Sequence, residues 1–245
     1  NNNNFIPNTT TSQIFIGRYP TLEDLFREME TYEENIEEYN ENIISNIDEV
    51  QELVEELQLD LLKSDELGWE EKQELDKAIE EMENIFNQMD EIQDVIEEMK
   101  EQAEKNNLIS DELLQKYDQF QDLLTTIITP ELLEAMEKMQ ELSENMDLNK
   151  LLEELNNFEF DLEIFEEQLD RFIDMFEQAI AEQKIDEVIK KLEGMLNEQI
   201  DIINELSDEK IDFKNLSSKE RKIEEEYTNL QNTIREAKTT SEKIS

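Results

Sequence analysis

Clustered carboxylate side chains come closest, in this sequence, to a catalytic or metal-binding pattern. Glu33 and Glu34, with Glu37 and Glu38 one turn further on, place several carboxylates on one face of a predicted helix. Such a group could bind a cation or supply paired acids for general acid–base catalysis. A calcium loop, however, needs oxygens that converge from a turn with glycine at its bend, and the sequence has no D-x-D-x-D-G pattern. We therefore interpret these acids as a solvated face.

Other residue types that carry chemistry are absent or scattered. The sequence has no cysteine and no histidine, which excludes disulfides, thiolate zinc sites and the commonest general base. Its three glycines lie far apart, so they form no phosphate-binding loop. We expect no enzyme activity, no cofactor and no metal site.

The composition favours long helices with a charged surface. Charged residues make up 36% of the 245 residues and apolar residues 37%, with only three glycines and three prolines to form turns. The net charge is −45, and residues 22–206, with 13 basic and 58 acidic residues, account for all of it. A field of that sign repels phosphates and anionic lipid, so we expect no nucleic-acid partner. No apolar run reaches the roughly 18 residues of a membrane span, so we expect no insertion of this segment into a membrane.

Apolar residues spaced by three and four predict a chain of helices. One seam runs over 22–62 and a second over 69–105, and the two helices joined by "SDELG" predict a long antiparallel hairpin over 21–108. Further helices follow over 109–206, with Ser110, Thr129 and Asp147 as predicted N-caps. Residues 207–245 are predicted as a less regular helical tail, helical over about 218–238.

The clearest repeat lies in the last long helix. Its positions alternate in steps of three and four: Leu155, Phe158, Leu162, Phe165, Leu169, Phe172 and Phe176. This is a heptad seam, and its bulky rings favour packing among more than two helices. The repeat falters over 181–186 and resumes from Ile189 to Leu206, which predicts a kink or a stutter.

The first twenty residues differ from the rest. Residues 1–20 contain no acid and include the β-prone run "SQIFIGRY". We predict a disordered lead-in with one strand, the end of a β domain that lies outside the chain. Because residue 1 is Asn rather than Met, we expect a processed product or an interior fragment of a larger protein.

The stretch "KSDELGWEEKQEL" contains the only tryptophan and predicts the tip of the first hairpin. Gly68 is the predicted N-cap, Trp69 lies in the first turn, and Glu71 occupies the position of a capping-box acid. Two interpretations of Trp69 remain open: it folds over the turn and fixes the register of the two helices, or it anchors a partner. We favour the first, in which the role of all three residues is structural.

Several stretches resemble a bacterial family of large membrane-anchored envelope proteins, the domain-of-unknown-function family four-one-seven-five. They are "RYPTLEDLFREME" (18–30), "ELGWEEKQEL" (66–75), "NNLISDELLQKYDQFQDLL" (106–124), "TPELLEAMEKMQEL" (129–142) and "FEEQLDRFIDMFEQ" (165–178). The resemblance covers roughly 18–206 and implies membrane spans and β-rich domains upstream in the parent protein. No activity is established for that family, so it implies no catalytic residue. Gly68 departs from the family, where a capping Asp, Ser or Thr is more common.

These observations together predict an all-α, elongated protein of antiparallel helical hairpins and coiled coil. We expect a non-enzymatic structural spacer or protein-interaction scaffold in the bacterial cell envelope, tethered to the membrane through its parent. Its partners would be proteins, or further copies of itself bound through helical seams. The alternative is a soluble acidic binding protein, a chaperone-like holder of basic clients.

Overall fold

The computed structural model describes residues 19–63, 68–145, 148–207 and 212–243, and within these ranges it contains helices and no strand. The helices are α1 (Leu22–Leu61), α2 (Trp69–Asn106), α3 (Asp111–Ile127), α4 (Pro130–Asn145), α5 (Leu148–Leu206) and α6 (Phe213–Lys243). The predicted all-α class is confirmed. The predicted lead-in strand lies outside the described residues, except for Tyr19 and Pro20, which are not in a regular element.

Capping side chains fix where three of these helices begin. The Thr21 hydroxyl accepts a hydrogen bond from the Asp24 N–H at 3.1 Å, and the Asp24 carboxylate accepts one from the Thr21 N–H at 2.9 Å. The hydroxyls of Ser110 and Thr129 each accept a hydrogen bond from the backbone N–H three residues on, at 3.4 and 3.2 Å. These contacts satisfy donors that a helix start leaves unpaired. The predicted cap Asp147 lies outside the described residues.

Four antiparallel helical segments form the main body of the molecule. Helix α1, helix α2 and the first part of α5 are three of them, and α3 followed by α4 forms the fourth. Each segment contacts its two neighbours. Hydrogen bonds of Gln51 with Glu166 (2.8 Å) and of Gln58 with Glu159 (3.0 Å) show that α1 and α5 run in opposite directions, because the α5 residue number falls as the α1 number rises. Helices α1 and α2 follow each other directly in the chain and pack side by side, with an ion pair of Lys77 and Glu49 between them, so they are also antiparallel. The arrangement is an up-and-down four-helix bundle.

The buried face of α1 follows an unbroken heptad pattern that contains two polar residues. Its members are Phe26, Met29, Glu33, Ile36, Asn40, Ile43, Ile47, Val50, Val54, Leu57 and Leu61. The interpretation of Glu33 as part of a solvated face was therefore wrong, because the residue is only 5% exposed. Tyr32 and Tyr39, which the apolar pattern places in the seam, are half-buried beside these polar residues.

The second half of α5 continues past the bundle and pairs with α6. Residues of the two helices are joined by ion pairs of Lys219 with Glu205 and of Lys222 with Glu198, the latter at 2.6 Å. A small core of Ile202, Leu216 and Ile223 lies between them. The predicted tail is thus a helix from residue 213 to 243, longer than the sequence pattern indicated, because its apolar face packs on α5.

Candidate interaction surface

The predicted heptad seam lies inside the four-helix bundle. All seven of its residues, Leu155, Phe158, Leu162, Phe165, Leu169, Phe172 and Phe176, are at most 2% exposed. Their side chains belong to one continuous core with residues of α1, α2, α3 and α4. This seam is occupied by the chain's own helices and does not present a surface to a partner.

Aromatic contacts across the bundle explain the bulky rings of the seam. The Phe165 ring meets the Phe86 ring of α2 edge-on, with centroids 6.3 Å apart. The Phe120 ring of α3 meets Phe172 and Phe176 at 6.1 and 5.9 Å. Because a four-helix interior has room for rings from several helices, these contacts confirm the prediction of more than two packed helices.

At the predicted hairpin tip, Gly68 and Glu71 lie against each other. Gly68 is the N-cap of α2, and its carbonyl accepts a hydrogen bond from the Lys72 N–H at 3.3 Å. The Glu71 carboxylate occupies the space that a Cβ atom at position 68 would take. Glycine therefore lets Glu71 fold back over the start of the helix, and a larger residue at 68 would displace it.

The Trp69 side chain is 72% exposed at the start of α2. This exposure gives no support to the favoured interpretation, in which Trp69 fixes the register of α1 and α2, and that interpretation stays a prediction. Leu61 and Leu75, both at most 1% exposed, fill the core at this end of the hairpin. The role of Trp69 as a partner anchor remains a hypothesis.

Trp69→Ala is expected to change the free energy of unfolding by no more than about 0.5 kcal/mol, because the exposed ring contributes little packing. Urea denaturation followed by circular dichroism measures this change. Leu75→Ala, a buried position on the same helix, is the control and should cost about 2–5 kcal/mol. A loss of stability from Trp69→Ala as large as that of the control would show that the ring packs on the turn after all.

A buried polar cluster lies where α5 leaves the bundle. The Gln183 amide donates a hydrogen bond to the Glu33 carboxylate and accepts one from the Tyr117 hydroxyl at 2.5 Å. The Lys184 ammonium lies 3.5 Å from the Glu33 carboxylate and 3.4 Å from that of Glu30. The cluster thus joins α1, α3 and α5 through hydrogen bonds and one buried ion pair.

Burial controls the titration of this cluster. It raises the pKa of Glu33 to about 7, and the nearby Lys184 ammonium lowers that pKa only in part. Burial alone would lower the pKa of Lys184, but the charges of Glu33, Glu30 and Glu187 outweigh it, so this pKa is raised. Burial also raises the pKa of Tyr117 well above its usual range. Glu33 can therefore bind a proton near neutral pH, and it does so among the buried side chains of Tyr117 and Gln183.

The structure gives no support to metal chemistry or to a membrane span in the part of the chain that it describes. Among residues 19–63, 68–145, 148–207 and 212–243, no three acidic side chains are grouped so that they could hold a metal ion. Within the same ranges, no helix has a stretch long and apolar enough to cross a lipid bilayer.

The apolar repeat of α5 changes its phase at the polar cluster. The buried seam continues through Ala179 to position 183, where Gln183 takes the place of an apolar residue. From Ile185 onward most apolar positions (185, 189, 192, 196, 203 and 206) fall one residue earlier in the heptad, although the helix runs without a break from 148 to 206. One residue corresponds to a rotation of about 100°. The apolar face therefore turns away from the axis of the bundle.

The rotated face is exposed to solvent, and we call it the α5 stripe. Its members are 45–61% exposed: Ile185, Ile189, Leu192, Leu196, Ile200, Ile203 and Leu206. They span an arc of about 120° on one side of the helix. An open groove of about 1070 Å³ runs along part of the stripe, between Leu192 and Leu196 on α5 and Ser217, Arg221 and Tyr227 on α6.

Charge is distributed very unevenly between the bundle and the part that carries the stripe. Residues 22–180 contain 10 basic and 51 acidic residues, which gives −41. Residues 181–245 contain 11 basic and 16 acidic residues, which gives −5. The exposed apolar surface thus lies on the part of the chain where electrostatic repulsion is weakest.

Fold and surface together define the class of this molecule as an acidic four-helix bundle extended by a helical hairpin with an exposed apolar face. Comparison of the chain with protein-family models, with curated proteins and with solved structures found no match. The exposed surface is therefore the feature from which a function can be inferred.

Proposed function

We propose that the chain is a non-enzymatic structural spacer or protein-interaction scaffold, the helical part of a larger bacterial envelope protein. The α5 stripe is the observation that carries the proposal. Seven large apolar side chains in one row, each about half exposed, form a contiguous patch of the kind that marks a protein-binding surface.

The bundle supplies the rigid body of the scaffold. Helix α1 has 40 residues and is therefore about 60 Å long, and its buried face contacts the core along the whole of that length. A rod of antiparallel helices with one continuous core holds its two ends at a fixed separation. This suits an elongated spacer that presents the α5–α6 hairpin at one end.

The envelope location and the membrane tether rest on the sequence resemblance over roughly 18–206. In that setting the parent protein supplies the membrane anchor, and the acidic bundle projects from it. The surface charge keeps such a rod away from anionic lipid headgroups and from nucleic acid.

The second candidate function, a soluble acidic binding protein that holds basic clients, is favoured by a different observation. The charge of −41 over residues 22–180 forms an acidic surface that would attract basic proteins. Binding of that kind depends on charge and weakens as salt screens it. The apolar stripe has no role in this mechanism.

Salt dependence separates the two functions. As a scaffold, the chain is expected to keep its contacts through the α5 stripe in about 0.5 M NaCl, where exposed charges are screened over a few ångströms. As a holder of basic clients, it would bind polylysine tightly at low salt and release it at high salt. Pull-down with immobilised chain measures this at both salt concentrations, using polylysine, the soluble chain and an extract of bacterial envelope proteins as separate samples. Salt-sensitive capture of polylysine, with no salt-resistant association with either the soluble chain or an envelope protein, would contradict the scaffold.

A further inference from the structure

We infer that the α5 stripe is the interface between two copies of this chain, which pair their α5–α6 hairpins in antiparallel fashion. This inference rests on the proposed scaffold function and names the partner that the surface binds. Its grounds are the distribution of charge, the extent of the exposed surface and the shape of the hairpin.

The charges around the stripe suit a partner of the same composition. Residues 185–206 of α5 and 213–243 of α6 together carry nine basic and twelve acidic residues, so the hairpin has both signs along its length and a net charge of only −3. A strongly acidic partner would be repelled by the net charge of the chain. A second copy of the hairpin brings the same mixed set of charges, and a two-fold interface requires such self-complementarity.

The exposed apolar surface is large enough for a dimer. Besides the α5 stripe, Phe213, Tyr227 and Ile234 of α6 are 47–71% exposed. Stable interfaces bury roughly 800 Å² on each partner, and ten large side chains that are each about half exposed offer an area of this order. No helix among the described residues covers this surface.

The shape of the hairpin indicates the arrangement. Two antiparallel hairpins that face each other complete a second four-helix bundle, in which the groove between α5 and α6 is filled from the other copy. An antiparallel pairing centred near Leu196 places the two acidic bundles at opposite ends. A parallel pairing would bring two charges of −41 together and is therefore disfavoured.

Sedimentation equilibrium of the full chain over a wide concentration series tests the dimer. The wild-type chain is expected to dimerise, and more tightly as salt is added. Leu196→Glu should raise the dissociation constant by roughly a hundredfold or more, because it places two unpaired charges at the centre of the interface. Phe160→Glu is the matched control: residue 160 lies on the same helix and is 62% exposed, but outside the stripe, so dimerisation should not change.

Cross-linking tests the antiparallel arrangement, since the chain has no cysteine and an introduced thiol is the only one present. A mixture of Ile189→Cys and Ile203→Cys chains is expected to form disulfide-linked pairs, because the two positions lie symmetrically about Leu196. Each variant alone should form few. Efficient cross-linking of each variant with itself would overturn the antiparallel pairing.

Failure of this inference can be told apart from failure of the proposed function. The inference is overturned if the wild-type chain remains monomeric at every concentration. It is also overturned if the Leu196→Glu variant dimerises as tightly as the wild type. The scaffold function would still stand if the salt-resistant contacts of the stripe were made with a different protein. Circular dichroism of Leu196→Glu in dilute solution should match the wild type, which shows that its effect is not one of unfolding.

Discussion

Phe172→Ala is expected to lower the free energy of unfolding by about 3–5 kcal/mol, because it removes a large ring from the interior of the bundle. The Phe172 side chain is fully buried, and its ring lies 6.1 Å from that of Phe120 and 6.0 Å from that of Phe176. Its removal leaves a cavity where α3 and α5 meet, which close-packed neighbours can only partly fill. Equilibrium urea denaturation measures the loss.

Two controls make this result specific. Phe160→Ala removes the same side chain from an exposed position of α5 and should cost about 0.5 kcal/mol or less. Phe120→Ala combined with Phe172→Ala should cost less than the sum of the two single changes, because the rings contact each other. A loss of less than about 1 kcal/mol from Phe172→Ala would show that the seam does not lie in the core.

Lys184→Met is expected to destabilise the chain at about pH 8, by up to about 3–5 kcal/mol, because the folded variant must either hold the buried Glu33 carboxylate without its cation or bind a proton there. The loss should be smaller at about pH 5, where Glu33 of the variant binds a proton and becomes neutral. Denaturation at both pH values measures the difference. Lys184→Met combined with Glu33→Gln should recover part of the stability, since no buried charge is then left unpaired.

The pH dependence of Glu33 has a definite sign. Its pKa in the folded chain is about 7, above the ordinary value of 4.5, so the folded chain binds a proton more tightly than the unfolded chain. The contribution of this group to stability is fully present below about pH 4.5 and is lost as the pH rises through 7. Glu33→Gln is therefore expected to gain stability relative to the wild type between about pH 5 and pH 8. An unchanged difference over that range would show that Glu33 is not buried.

Most of the helices could be predicted from the sequence because their signals are local. The heptad spacing of apolar residues, the caps Thr21, Ser110 and Thr129, and Pro130 at the start of α4 all act within a few residues. The α1–α2 hairpin follows from two long seams joined by a short connection. The assembly of α1 to α5 into one bundle could not be predicted in the same way, since it depends on which seam faces which.

The buried polar cluster escaped prediction for a physical reason. Glu33 and Asn40 occupy core positions of the α1 heptad, but their polarity hides the pattern, and Tyr32 and Tyr39 beside them offer an apolar alternative. Lys184 and Gln183, about 150 residues away in sequence, supply the partners that lower the cost of burying Glu33. The sequence does contain a signal for the burial of these residues, because the apolar positions of α1 keep alternating in steps of three and four only if Glu33 and Asn40 are counted among them.

The exposed α5 stripe escaped prediction for a related reason. The most regular apolar pattern in the sequence is the seam from Leu155 to Phe176, and these residues are buried in the core of the bundle. Trp69, the only tryptophan, is exposed. The sequence does show that the repeat falters at 181–186. What it could not show is that the apolar positions beyond this point are left uncovered, since α6 packs on a neighbouring face of α5.

Thiol labelling at two positions of α5 tests most directly that the first half of this helix is core and the second half is an interaction surface. Leu169→Cys is expected to react slowly with a thiol reagent at every protein concentration. Leu196→Cys should react rapidly in dilute solution and become protected as the concentration of the chain rises. Reaction of Leu196→Cys that is equally fast at all concentrations, or protection even in the most dilute solution, would contradict the proposed role of the α5 stripe.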